Sequence, residues 1–164
     1  MSLTSIPRIL VVDDDHDVMA AYRCALKSDT PDAKGGKESV NRLGAELFAQ
    51  PVKQDDDAMT WRVNFAYQGQ DAFDAVCAAV MKSDPFAIVF LDIRMPPGID
   101  GCETARRIRQ VDPFVHIVFV SGYSGYTEEE LAEAAGPADK VSFLQKPIGP
   151  QQLRSKALEL CRAA

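Results

Sequence analysis

Apolar residues in this chain fall into two alternating patterns, short unbroken runs and stripes at helical spacing. The runs are residues 6–12 (Ile-Pro-Arg-Ile-Leu-Val-Val), 87–91 (Ala-Ile-Val-Phe-Leu) and 116–120 (His-Ile-Val-Phe-Val). Bounded by turn residues, they read as strands buried on both faces of a sheet. Residues 61–67 alternate and are rich in β-formers, and 141–144 make a last short strand. Between the strands lie the stripes. Asp15 or Asp17 caps a first helix with Val18, Ala21, Tyr22, Ala25 and Leu26 on one face. The turn 68–71 leads to a second, with Phe73, Val76, Cys77 and Val80 inward. A third spans 103–111 with Ala105, Ile108 and Val111 inward, and Asp112-Pro113 ends it. Thr127, with Glu130 three residues on, has the form of a capping box for a fourth helix, broken by Gly136-Pro137. Gly149-Pro150 opens a fifth, with Leu153, Ala157, Leu160 and Cys161 toward the core.

Five strands alternating with five helices predict an α/β fold with a parallel sheet and right-handed crossovers. Strand order does not follow from this pattern. One connection breaks the rhythm: residues 28–60 take about thirty positions where such links usually take ~2–6. Within them, 38–50 reads as an amphipathic helix with Val40, Leu43, Leu47 and Phe48 on one side, folding back over its own domain. The expected organisation is one domain over 6–162 with an insertion at 28–60. Residues 1–5 are read as a disordered or expression-derived N-terminus.

Composition narrows the class. At 164 residues, 46% hydrophobic and 26% charged, the chain suits one well-filled soluble core. No window approaches the ~18 apolar residues of a membrane span, and the N-terminus lacks a secretory pattern. A cytoplasmic location is the expectation. Cys24, Cys77, Cys102 and Cys161 are irregularly spaced, with no CxxC pair, and read as small apolar residues rather than zinc ligands. A net charge of −6 argues against a nucleic-acid surface. The cluster Arg106, Arg107 and Arg109 is read as the solvated face of a helix.

The chemistry gathers at the C-terminal strand ends. Asp13, Asp14 and Asp15 follow the first strand, Asp92 the third, Ser121 the fourth and Lys146 the fifth. In a parallel sheet these ends share one edge, where open α/β sheets place their ligands. Several carboxylates in one pocket raise one another's pKa unless a cation joins them. Mg²⁺ suits one or two carboxylates, waters and a phosphate oxygen. A carboxylate nucleophile with Mg²⁺, a lysine and a hydroxyl is an arrangement for forming an acyl phosphate.

Val11-Val12-Asp13-Asp14, Leu91-Asp92-Ile93-Arg94-Met95-Pro96, Asp100-Gly101, Val120-Ser121-Gly122 and Lys146-Pro147 together resemble the response-regulator receiver domain of two-component signalling. The resemblance implies a flavodoxin-like, doubly wound five-stranded sheet with helices on both faces. It implies Asp92 as phosphoacceptor, and Mg²⁺ held by Asp14, by Asp13 through water, by Asp92 and by the backbone carbonyl of Arg94. Ser121 and Lys146 would contact the phosphoryl group, and Pro147 would follow a cis peptide. Ser121 and Phe143 would form the switch, the ring moving inward as the hydroxyl is drawn to the phosphate and altering the surface of the fourth helix, fifth strand and fifth helix. The implied partner is a histidine kinase or phosphotransfer domain, with output through a fused or separate effector domain. A homodimer is compatible with the family. Nucleic acid and membrane are not expected partners of this domain.

Two other functions compete with this one. A receiver-like interaction module that signals without phosphorylation is disfavoured by the intact Asp14, Asp92, Ser121 and Lys146 set. A phosphatase of the haloacid dehalogenase type needs an acid/base Asp two residues after the nucleophile, where this chain has Arg94. The chain also departs from the receiver pattern. Asp92 to Asp100-Gly101 is one residue longer than usual, so Pro97-Gly98 extends the loop beside the site. Arg94 and Tyr123 border the path of an attacking water, which predicts slow self-dephosphorylation.

Overall fold

The computed structural model describes residues 6–27, 59–122 and 125–163. The expected helix at 38–50, the rest of the insertion up to 58, Tyr123 and residues 1–5 lie outside these. The described elements run β1 (Arg8–Val12), α1 (His16–Ala25), β2 (Arg62–Ala66), α2 (Gly69–Met81), β3 (Ile88–Asp92), α3 (Gly101–Val111), β4 (His116–Ser121), α4 (Glu128–Ala135), β5 (Val141–Gln145) and α5 (Pro150–Ala163). A 3₁₀ turn, Ala138–Lys140, leads into β5.

The strands form one parallel sheet in the order β2-β1-β3-β4-β5. Central β3 is buried at every position. Period-two alternation divides its neighbours between two cores. Leu10, Val12, Val89, Leu91, Ile117 and Phe119 pack beneath α2, α3 and α4. Ile9, Val11, Ile88, Phe90, Val118 and Val120 pack beneath α1 and α5. Continuous apolar runs are what such a two-sided sheet requires. Among the described residues no helix is long and apolar enough to cross a membrane.

Capping matches local chemistry. Asp15 caps α1 by accepting from Asp17 N and Val18 N, and Thr127 with Glu130 closes a capping box on α4. Helix faces are another matter. In α1 the buried residues are Met19 and Tyr22, joined by Leu26 just after it, whereas Ala21 is exposed. In α2 Ala72, Val76 and Ala79 face the sheet while Val80 turns outward. The small α2 face lets the helix approach closely: a Cβ on Gly69 would overlap Thr104 Oγ1 of α3. Close packing therefore chose alanines over the larger residues beside them. Cys24 is exposed rather than an apolar filler.

The arginine cluster also divides. Arg106 and Arg107 pair with Glu103 on the α3 surface. Arg109 does not belong to that solvated face. Its Nε donates to Ala135 O at 2.7 Å and its guanidinium to Val115 O at 2.9 Å. It thereby fastens α3 to the end of α4 and the entry to β4.

Candidate functional site

Strand order builds the site. β1 and β3 are neighbours with Val12 opposite Leu91, so the residues that follow, Asp13 and Asp92, emerge side by side. β4 lies against β3 on the other side, with Asp92 opposite Val120, and Ser121 pairs with Gln145 of β5. Lys146 N then donates to Ser121 O at 2.8 Å, which aligns the lysine with the sheet edge. The Lys146–Pro147 peptide is cis, as are Pro96–Pro97 and Gly136–Pro137.

Three carboxylates and one ammonium converge there. Carboxylate oxygens of Asp13, Asp14 and Asp92 lie within 4.8 Å of one another. Lys146 Nζ donates to Asp13 Oδ2 at 2.8 Å and stands 3.2 Å from Asp92 Oδ1. Asp13 Oδ1 accepts from Asp15 N at 2.9 Å, so both oxygens of this buried side chain are engaged. Asp15 itself points away as the α1 cap, so Asp13 and Asp14 are the two of the run that lie with Asp92.

The electrostatics are strained. Burial raises the Asp92 pKa to about 6; Lys146 opposes this and Asp13 reinforces it. Burial alone would lower the Lys146 pKa, but its hydrogen bond to Asp13 and the charge of Asp92 outweigh that and raise it. Lys146 therefore keeps its proton, and one lysine offsets the negative charge only in part. Carboxylates that repel in a half-dry pocket are a natural seat for a small hard cation. Buried Tyr22 borders the same field. Burial, chiefly, pushes its hydroxyl up to about 12; Lys146 opposes this, and Asp13 and Asp92 reinforce it. Helical spacing marks this residue as core alone, and only the fold shows it beside the charges.

The other expected residues make contacts of their own. Ser121 Oγ donates to Gly122 O at 2.9 Å. Half-buried Phe143 stacks on Phe119 with ring centroids 5.9 Å apart. Exposed Arg94 lines a cleft of about 690 Å³ with Met95, Pro96, Gly98, Asp100 and Tyr126. Gly101 is required beside the site, because a Cβ there would overlap the Asp92 carbonyl oxygen. One contact has no signal in the sequence: Tyr126 Oη donates to Asp100 Oδ2 at 2.8 Å.

The family profile described as the response regulator receiver domain matches residues 45–158. The chain belongs to the response-regulator receiver domain family. An uncharacterized response regulatory protein of Vibrio cholerae is 38% identical over 134 residues, covering 82% of this chain and 42% of that protein. The transcriptional regulatory protein AruR of Pseudomonas aeruginosa is 29% identical over 120 residues, covering 66% of this chain and 47% of the relative. The chain thus spans under half the length of either. A CheY-like response regulator receiver domain structure from Methanospirillum hungatei shares the fold, with a TM-score of 0.62 at 19% identity, covering 97% of this chain and 96% of that one. The profile match begins beyond β1, so it is the sheet that brings Asp13 and Asp14 to the receiver's Asp92. Receiver domains bind Mg²⁺ at an acidic pocket, and this aspartate cluster supplies an all-oxygen donor set of the kind that ion prefers.

Proposed function

We propose that this receiver accepts a phosphoryl group on Asp92 from a phosphohistidine of a histidine kinase or phosphotransfer partner. The observation that carries the reading is the convergence of Asp13, Asp14 and Asp92, bridged by Lys146, at one edge of the sheet. An Asp92 carboxylate oxygen attacks phosphorus, the phosphorus–nitrogen bond of the donor breaks, and the departing imidazole keeps the electron pair. Asp13, Asp14, Asp92 and the Arg94 carbonyl would hold Mg²⁺, which supplies charge neutralisation for the phosphoryl oxygens. Lys146, already against Asp92, stays protonated and pairs with the added negative charge. Ser121 turns its hydroxyl from Gly122 O toward a phosphoryl oxygen, and Phe143 follows it inward. The new charge is thereby read out as a change at α4, β5 and α5, a population shift in a two-state element.

Incubation with Mg²⁺ and a small phosphodonor, followed by intact mass, tests this. The expected result is one added phosphoryl group in the wild-type chain and none in Asp92→Asn. A wild-type chain that stays unmodified at donor concentrations that label other receivers overturns the reading. It moves weight to a receiver fold that signals by contact alone.

A further inference from the structure

The starts of α3 and α4 are joined by a hydrogen bond, the 2.8 Å contact from Tyr126 Oη to Asp100 Oδ2. Asp100 is the cap of α3, its other oxygen accepting from Glu103 N at 2.8 Å. Tyr126 immediately precedes Thr127, the cap of α4. The bond therefore runs from the residue before the α4 cap to the α3 cap. The two helices are anchored differently. The start of α3 is pinned to the strand end carrying Asp92, since Gly101 N donates to Ile93 O at 2.8 Å and Gly101 packs directly on the Asp92 carbonyl. The start of α4 follows β4, whose last residue is Ser121.

We infer that the Tyr126–Asp100 hydrogen bond is a tie that holds α4 in its unphosphorylated position and makes Tyr126 a positioning residue for the switch. The inference rests on the phosphoacceptor reading of Asp92. When Ser121 is drawn toward a phosphoryl group, the end of β4 moves relative to the Asp92 strand end, and α4 with it. A hydrogen bond loses most of its worth beyond about 3.5 Å, so a relative shift of about 1 Å breaks this one. The acceptor is a carboxylate, which strengthens the bond while it lasts. The same hydrogen bond raises the Tyr126 pKa, so the hydroxyl keeps the proton it donates. A bond present in one arrangement and lost in the other must oppose any ligand of the second, by linkage. Tyr126 is 39% exposed, which limits the effect to roughly three- to tenfold.

The test titrates beryllofluoride with Mg²⁺, a phosphoryl mimic, into wild type, Tyr126→Phe and Asp100→Asn, and follows amide exchange at Leu131 in the unliganded chains. Leu131 N closes the first turn of α4 on Thr127 O. Tyr126→Phe should bind roughly three- to tenfold tighter and exchange faster at Leu131. Asp100→Asn retains a capping side chain and weakens only the acceptor, so its affinity should fall between the two. Equal or weaker binding by Tyr126→Phe, with wild type binding normally, overturns the tie alone. A wild type that binds no beryllofluoride overturns the phosphoacceptor reading instead, and unchanged Leu131 exchange in Tyr126→Phe then overturns the tie as well.

Discussion

At the C-terminal, upper edge of the sheet, buried Asp13 and Asp92 are held against half-buried Lys146. At the N-terminal, lower edge, buried Asp112 and half-buried Arg109 and His116 pack against backbone and hydroxyl groups. Arg109 donates to several carbonyls, Asp112 Oδ1 accepts from Phe114 N and Val115 N, and His116 Nε2 meets Ser142 Oγ at 2.8 Å. Of the buried side-chain oxygens and nitrogens among the described residues, only Asp112 Oδ2 lacks a partner. The residue types are similar and their use is opposite. At the lower edge, polar groups complete hydrogen bonds that the chain's turns leave open, which stabilises the fold. At the upper edge, like charges are held together with too few counter-charges, which costs stability and, in the function proposed above, suits the site to a cation and a phosphoryl group.

Breaking the lower edge should cost most. Arg109→Ala removes the donors for Ala135 O and Val115 O and should lower the unfolding free energy by about 3 kcal/mol, measured in urea. Arg109→Lys cannot reproduce the planar fork and should recover only part of the loss.

The upper edge should respond with the opposite sign. With divalent ions removed, Asp92→Asn should stabilise the chain by about 2 kcal/mol at pH 7, falling toward zero at pH 4. The sign follows from protons bound. Asp92 titrates at about 6 in the folded chain and near 3.8 when unfolded, so between these values the folded chain holds the proton more tightly. Stability from this group is present at low pH and lost as pH rises through that window. A destabilised Asp92→Asn at neutral pH would contradict the description of a strained upper edge.

The smallest effect sharpens the contrast. Burial, aided by Lys156 and Lys140, lowers the His116 pKa below its ordinary 6.5. Below pH 6.5 the unfolded chain therefore binds more protons at this position, and stability falls with falling pH. His116→Gln should flatten that slope without altering the Asp92-dependent one. Unfolding midpoints of both variants across pH 4–8 measure the two slopes separately.

Much of this fold and site is legible in the order of residues alone. The capping box at Thr127 is a local pattern and forms as predicted, and of the two candidate caps of α1 the chain uses Asp15 rather than Asp17. Four of the five motifs lie at strand ends, and the fifth, Asp100-Gly101, opens α3. What the pattern misplaces has one cause. The buried faces of α1 and α2, the role of Arg109 and the contact between Tyr126 and Asp100 all depend on what an element meets, not on its own spacing. A stripe of Val76, Cys77 and Val80 looks as good as Ala72, Val76 and Ala79 until the neighbouring helix demands small residues. Arg109 resembles Arg106 in sequence and differs only because Ala135 and Val115 offer it carbonyls.

The sequence by itself determined the alternation of strands and helices, their ends and the candidate residues at the strand ends, because these arise from interactions within a few positions along the chain. The tertiary structure alone decided the order β2-β1-β3-β4-β5 and, through it, which charges meet. Asp13 and Lys146 are 133 positions apart and become hydrogen-bonded because two strands lie between them and one long side chain can span that edge. No periodicity encodes such a distance. Only in the assembled sheet does the Asp92 carboxylate have the neighbours, and the raised pKa, that mark its place in the proposed switch.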